Sequence, residues 1–390
     1  MPDRAAVKVL LLGASGVFGS RLTQIISGED GVQLTLAARG VAKLEQVAKQ
    51  LRASVDCRQI DRDTLTALDF AGFDLVVDAA GPFQSSHMRV VECAMAAGVD
   101  YIDLADGRDF IRDFTRYDDV AKGAQVALTT GASSIPALSH AVLDELTDGW
   151  QAIDDIRVAI YPGNRAPRGL SVVEAILSYV GKPVRVFRDG EWREDRGWGR
   201  VHREDLPDIG KRWASVCDTP EQDLLVARYK PRRSAQFFAG MELSILHLGL
   251  AAMALPVRWG WVDSLRPLSK PMLMIAKWFL PFGSDKGGMS VKVSGVDADG
   301  LTVQRHWFLN ADANRGPFTP VLAAAAMIRR YRDGIRPEAG ARVCSGILTL
   351  NDFEADFKRL GITHRTLEKA PPAPADEARP ALATKEAAWQ

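Results

Sequence analysis

The sequence predicts an α/β fold, a doubly wound parallel sheet with an inserted α+β second domain built on an antiparallel sheet. Three observations carry that prediction. Short, nearly continuous Val, Leu and Ile runs alternate with helical-period segments over the first 150 residues. A glycine-rich turn closes the first of these runs, and from about residue 150 the texture becomes polar, with Trp and Arg in the strands. Strands buried on both faces need apolar side chains at successive positions, and this is how a parallel sheet covered by helices reads.

In chain order, VKVLLLG at 7–13 is the first strand, 17–27 a helix, QLTLAAR at 33–39 the second strand and 41–51 a helix. ASVDCRQID at 53–61 is a more polar strand. FDLVVDAAG at 73–81 follows, then a helix at 85–97, VDYIDLA at 99–105, QVALTTG at 125–131 and a helical segment at 137–147. Beyond 150 the strands IRVAIYP, VRVFRDGEWRE and GRVHRED bracket a helix at 171–181. The run 289–309 is a hairpin around Asp297-Ala298-Asp299-Gly300, whose glycine tolerates the positive φ such turns need. Residues 317–334 are Ala-rich, with Pro near the start and Gly at the end, the asymmetry of helix termini, and are assigned back to the first domain. The boundaries expected are 1–150 for the first domain, 151–315 for the inserted domain, 316–365 for the returning helices and 366–390 for a flexible Pro/Ala-rich tail with little to bury.

Length and composition agree with two domains, since 390 residues exceed what one core usually serves. The 49 basic residues balance 49 acidic ones, so no polyelectrolyte partner is implied and a nucleic-acid partner is not expected. Cys57, Cys93, Cys217 and Cys344 form no close pair, which argues against a disulfide framework and a metal knuckle. The N-terminal residues run straight into strand pattern without a signal-peptide core, and a cytoplasmic location is expected.

Gly13-Ala14-Ser15-Gly16-Val17-Phe18-Gly19 lies between an apolar strand and an amphipathic helix, the context of a dinucleotide fingerprint. Gly13 makes the tight turn, Gly16 admits backbone to the pyrophosphate, and Gly19 lets helix and strand pack closely. The helix start offers unpaired N–H groups and a positive dipole end to phosphates. The first domain is therefore of Rossmann type. Some 20 residues further on, an NAD enzyme usually places an acid for the ribose 2′-hydroxyl. Here the strand ends Ala37-Ala38-Arg39, and Lys43 follows one turn later. Two cations and no acid favour the 2′-phosphate of NADP over NAD, against the plainer reading of a solvated Arg.

Ligands in such sheets lie beyond the carboxyl ends of the strands, so the later strand ends are where chemistry is sought. Ala80-Gly81-Pro82-Phe83 gives a small stiff turn and a flat apolar ring, suited to the nicotinamide end. Asp103 and Asp106 are candidates for orienting an amine or relaying a proton, with helix capping as the competing role of Asp106. Ser133 and Ser134 precede a helix, one expected as its cap and the other at the ligand. His87, expected near the start of a helix, has a pKa range suited to a general acid, although a lone helical His more often has no such role. Asp103, His87 and Ser134 are thus the catalytic candidates. There is no G-x-S-x-G, H-E-x-x-H or G-x-x-x-x-G-K-[ST] motif. Hydride transfer needs none of these.

On GASGVFGSRL (13–22), AARGVAKLEQ (37–46), DAAGPFQ (78–84), AAGVDYIDLADG (96–107), GASSIPALS (131–139) and GARVCSGILTLNDFEADF (340–357), the chain resembles the saccharopine dehydrogenase-like family of NADP-binding oxidoreductases. The resemblance implies a second domain inserted after the sixth strand, substrate contacts from that domain, and a homodimer. It also implies hydride transfer to or from an imine or an activated double bond, on an amino-acid, polyamine or lipid-like substrate; one branch holds trans-acting enoyl reductases. No arginine cluster for a dicarboxylate is recognisable in 150–315. A non-catalytic NADP-binding or membrane-associated regulatory protein remains the competing reading.

Residues 243–283 are unusually apolar and Trp-rich, but each run is shorter than the roughly 20 residues a membrane-spanning helix needs. Three roles stay open for them. They form a buried core or dimer interface, a groove for a hydrophobic substrate, or a peripheral membrane contact anchored by Trp259, Trp261 and Trp278.

Overall fold

The computed structural model describes residues 5–51 and 53–369. The first sheet begins with β1 (Val7–Leu12), β2 (Val32–Ala38), β3 (Asp56–Gln59), β4 (Leu75–Asp78), β5 (Asp100–Asp103) and β6 (Ala127–Thr130). Each residue of β4, β5 and β6 is buried, which is why those segments carry no polar alternation. The edge strand β3 is largely exposed, and its polar sequence DCRQ follows from that position.

The second sheet contains β7 (Ala152–Tyr161), β8 (Pro183–Arg188), β9 (Glu191–Arg196), β10 (His202–Leu206), β11 (Gly210–Val216), β12 (Ser234–Met241), β13 (Gly287–Val296) and β14 (Thr302–Ala311). The chain then returns β15 (Gly340–Val343) to the first sheet and gives β16 (Thr363–Lys369) to the second. Strand order is β15-β6-β5-β4-β1-β2-β3 in the first, all parallel, and β10-β11-β12-β7-β13-β14-β16 in the second, with the β8-β9 hairpin on β12.

Two expectations are corrected. The second sheet is mixed rather than antiparallel, because β12 runs parallel to β7, from Ser234 beside Asp155 to Ala239 beside Ile160. The chain between them holds two helices and four strands, ample for the crossover a parallel pair demands. The expected tail from 366 starts too early: Thr366 to Lys369 complete β16, which pairs with β14. Leu367 packs there against the outer face of the sheet, so the segment has something to bury. Residues 370–390 lie outside the described residues.

The helix Thr319–Arg332 has a run of buried alanines, Ala323–Ala326, and packs against the helix Gly19–Ile26 and the turn Ser134–Leu138 of the first domain. Small side chains permit that close approach. One continuous core extends from Leu10 and Val76 of the first sheet to Val158 and Val291 of the second. Polar clamps reinforce it. Arg108 donates to Asp223 at 2.6 Å and to Asp218 at 3.0 Å, and buried Glu221 accepts from Ser139 and lies 3.1 Å from His140 Nε2. Among the described residues no helix is long and apolar enough to cross a membrane.

Candidate active site

The strand order reverses between β1 and β4, with β2 on the other side of β1, and here the carboxyl ends of the strands open into a cleft. The cleft has a volume of about 1540 Å³ and is walled on one side by the glycine turn and on the other by the second sheet and its helices.

Gly13 has φ +74°, a conformation that strains any other residue, and a Cβ there would lie 2.8 Å from the Ala80 nitrogen. Turn and β4 loop are therefore pressed together through glycine. A Cβ on Gly19 would strike the Gly13 carbonyl, which is the close helix–strand packing expected of the third glycine. The Gly16 N–H closes the turn on the Gly13 carbonyl at 2.8 Å. The helix Gly19–Ile26 begins with no side-chain cap and no acid in its first turn; the Ser20, Arg21 and Leu22 N–H groups donate to the Gly16 and Phe18 carbonyls, and the positive end of its dipole is left without a counter-charge of its own. Gly13, Ser15, Gly16, Val17 and Phe18 line the cleft, with Ala14 buried behind them.

Arg39 and Lys43 line the same cleft at the end of β2 and in the helix Val41–Lys49. Both are exposed, and among the described residues neither has an ion-pair partner. Asp61 and Asp63 line the cleft from the loop after β3, where the Asp63 N–H donates to Asp61 at 3.0 Å. The donor set of glycine turn, helix start and two cations fits the phosphates of a nicotinamide dinucleotide.

Beyond β4, Ala80, Gly81, Pro82 and Phe83 line the cleft as one loop. Its support was not foreseen. Arg62 pairs with buried Asp78 at 2.8 Å and stacks 5.1 Å from the Phe83 ring centroid, while donating to Ser86 at 2.5 Å. Asp78 also accepts from the Ala80 N–H at 2.9 Å. Desolvation outweighs these favourable partners and raises the Asp78 carboxyl. In sequence Arg62 was one more cation in a polar loop, and nothing local pointed to Asp78.

The catalytic candidates separate. Asp103 is fully buried and sits behind the cleft lining: one oxygen accepts from Ala105 N, Thr130 Oγ1 and Gly131 N at 2.9, 2.8 and 2.8 Å, and the other has no hydrogen-bond partner. Burial pushes its carboxyl up to about 7. Its contacts tie the end of β5 to the end of β6. Asp106 does line the cleft, with Gln84 Nε2 donating to it at 3.0 Å, and desolvation by the surrounding walls raises its pKa. It is not a helix cap, because Gly107 occupies that position before Arg108–Phe114.

His87 is exposed at the rim, in the loop that precedes the helix Arg89–Ala97 rather than inside it. Ser133 and Ser134 both line the cleft, but neither hydroxyl caps the helix Ser139–Leu146. A π-type turn, Ser134–Leu138, separates them from that helix, and Ser139 itself bonds the Pro136 carbonyl at 3.0 Å.

The second domain supplies the opposite wall. Phe237, Leu246, Leu250, Met272 and Ile275 make it apolar. Its polar exceptions include Asp218, paired with Arg108, Thr219, whose hydroxyl is buried without a partner, and Arg168. Arg168 makes only long contacts, 3.4 Å to the Gly163 carbonyl and 3.5 Å to Asn164, and among the described residues no carboxylate pairs with it. Leu246, Leu250, Met272 and Ile275 belong to the apolar segment 243–283 for which a substrate groove was one of three readings, whereas nothing in the sequence singled out Arg168, Asp218, Thr219 or Phe237.

With this geometry in place, comparison with known proteins bears on the first domain. Residues 9–146 match the saccharopine dehydrogenase NADP binding domain model. The first domain is saccharopine dehydrogenase-like. The matched stretch runs from within β1 past β6 and includes the glycine turn. A carboxyaminopropylagmatine dehydrogenase from Synechocystis sp. is 33% identical over 259 residues, 62% of this chain and 64% of that relative, so the alignment spans less than two thirds of the relative's length. Among solved structures, saccharopine dehydrogenase (L-Glu forming) from Saccharomyces cerevisiae superposes with TM-score 0.67 at 14% identity, covering 93% of this chain and 100% of that one. Homospermidine synthase from Legionella pneumophila, in complex with NAD, superposes with TM-score 0.62 at 13% identity over 98% of this chain and 95% of that one. At such identities the likeness is one of fold.

Proposed function

We propose that the protein is an NADP-dependent oxidoreductase that reduces an imine, or in the reverse direction oxidises the corresponding amine, on a substrate with an apolar body. The observation that carries this is a cleft in which the glycine turn and its two cations face a second-domain wall. The family match and a relative named as a carboxyaminopropylagmatine dehydrogenase support nicotinamide chemistry at a carbon–nitrogen bond. NADP is favoured over NAD by Arg39 and Lys43, two unpaired cations where an NAD site usually has an acid.

The roles follow from position. Gly13, Gly16, Gly19 and the helix start hold the pyrophosphate; Ala80 to Phe83 bound the nicotinamide end. A bound cofactor supplies the hydride. Asp106, beside the Gly81–Phe83 loop and with its pKa raised, gives the substrate nitrogen its proton during reduction and removes it during oxidation. Arg168 meets an anionic group of the substrate, and Phe237, Leu250, Met272 and Ile275 cover its apolar part.

The apolar wall supports a second reading, reduction of an activated carbon–carbon double bond in a lipid-like substrate by a trans-acting enoyl reductase-like activity. A screen of nicotinamide absorbance with keto acids plus amines, with aldehydes, and with enoyl thioesters separates the two. Turnover with the first group and a roughly 100-fold loss of kcat in Asp106→Asn are expected. Turnover only with enoyl thioesters selects the second reading, and tight NADPH binding without any turnover contradicts both and supports a non-catalytic binding protein.

A further inference from the structure

Of the sixteen strongly exposed large apolar side chains among the described residues, eleven lie between Ile245 and Phe282. They follow a pattern. In the helix Ser244–Arg258, positions 245, 248, 252 and 255, continuing to 259, form one outward stripe of Ile, Leu, Ala, Leu and Trp. The opposite side of the same helix buries His247, Leu250 and Ala254. In the helix Ser269–Trp278, Met274 and Trp278 face outward, while Met272, Ile275 and Ala276 line the cleft. A helix apolar on both sides is ordinarily buried on both sides. Here, among the described residues, the outer side is left exposed.

The turn joining the two helices completes the surface. Trp261 is 74% exposed, with its ring centroid 5.0 Å from that of Trp259, and Trp278 is 64% exposed. Segment 243–283 carries Arg258, Arg266, Lys270 and Lys277 against a single acid, Asp263, in a chain whose net charge is zero. Among the described residues none of these cations has an ion-pair partner. Arg266 instead donates to Ser85, at 3.2 Å, in the loop that follows β4. The patch therefore sits directly outside the cleft.

We infer that the outer face of this helix pair is a membrane-docking surface for an anionic bilayer. Indole rings at an apolar face prefer the headgroup boundary, and lysines and arginines beside them add attraction to anionic lipid. A second copy of the chain fits less well, since a symmetric contact brings the same unpaired cations face to face. The inner faces of the two helices form the apolar cleft wall, so docking places the substrate chamber one helix thickness from the lipid. That consequence for substrate entry rests on the function proposed above; the docking itself does not.

The test is flotation of the full chain with vesicles of phosphatidylcholine alone and of phosphatidylcholine with phosphatidylserine, at low and high salt. Binding to the anionic vesicles that weakens with salt is expected, with a roughly tenfold loss in Trp261→Ser/Trp278→Ser and in Lys270→Glu/Lys277→Glu. NADPH affinity, measured on the same preparations, should not change; this serves as the control for folding and is independent of vesicle binding. Recovery of all wild-type protein in the unbound fraction with both vesicle types overturns the proposal. So does a sedimentation-defined dimer that Trp261→Ser/Trp278→Ser dissociates, without flotation, since the face is then an interface between copies.

Discussion

At the scale of single residues, two aspartates three positions apart have opposite placements. Asp106 opens onto the cleft, whereas Asp103 is sealed behind it with one oxygen unpartnered. Burial is the first cause of the raised Asp103 carboxyl, at about 7, against an unfolded value of about 4. Between those values the folded state holds more proton than the unfolded state, so this group's contribution to stability is fully present below about pH 4 and is lost as pH rises to about 7. Asp103→Asn has no such titration. Thermal melts of the two proteins across that range should therefore show the variant gaining on the wild type as pH rises, then a constant difference above about 7. A pH-independent difference contradicts a protonated Asp103. The sequence showed both aspartates but not which one reaches solvent, because two of the three donors that claim Asp103, Thr130 and Gly131 at the end of β6, are 27 and 28 residues away.

At the scale of elements, the glycine turn is where sequence reasoning reached furthest. Its function depends on neighbours in the chain: a strand, three glycines at fixed spacing and a helix without a cap. Gly13→Ala tests it. A side chain in the left-handed region costs about 1–3 kcal/mol, and here it also pushes against Ala80, so a lower denaturant midpoint together with loss of NADPH binding is expected. Unchanged binding in a stable Gly13→Ala protein means that the turn does not cradle phosphate. β1, β2, β4, β5 and β6 were legible because burial on both faces leaves an apolar run, whereas β15, in a segment expected to hold only helices, was not. The parallel β7–β12 pair and the late strand β16 were not, since each owes its place to partners tens of residues away. Arg62 escaped notice for the same reason, its partner Asp78 lying across the mouth of the sheet.

At the scale of the whole molecule, the cleft exists only because two domains are held in one arrangement. Glu221 is fully buried at that junction, accepting from Ser139 with His140 alongside. Glu221→Ala leaves those polar groups buried without their partner, and a loss of about 3 kcal/mol in urea unfolding is expected. A loss well under 1 kcal/mol would mean that the clamp contributes little. The apolar helices of the second-domain wall were visible in the sequence as segment 243–283, but Arg168, Asp218 and Phe237 were not, because they are distant in the chain and come to one cleft only in the assembled domain.

The central claim is that this cleft selects a phosphorylated dinucleotide through Arg39. Calorimetric titration of NADPH and NADH into the wild type and Arg39→Asp tests it most directly. A charge-assisted contact to phosphate is worth about 1.5–3 kcal/mol, so the variant should bind NADPH roughly 10- to 100-fold more weakly while keeping or improving its affinity for NADH. Equal affinity of the wild type for both cofactors, or an unchanged NADPH affinity in Arg39→Asp, would contradict the account.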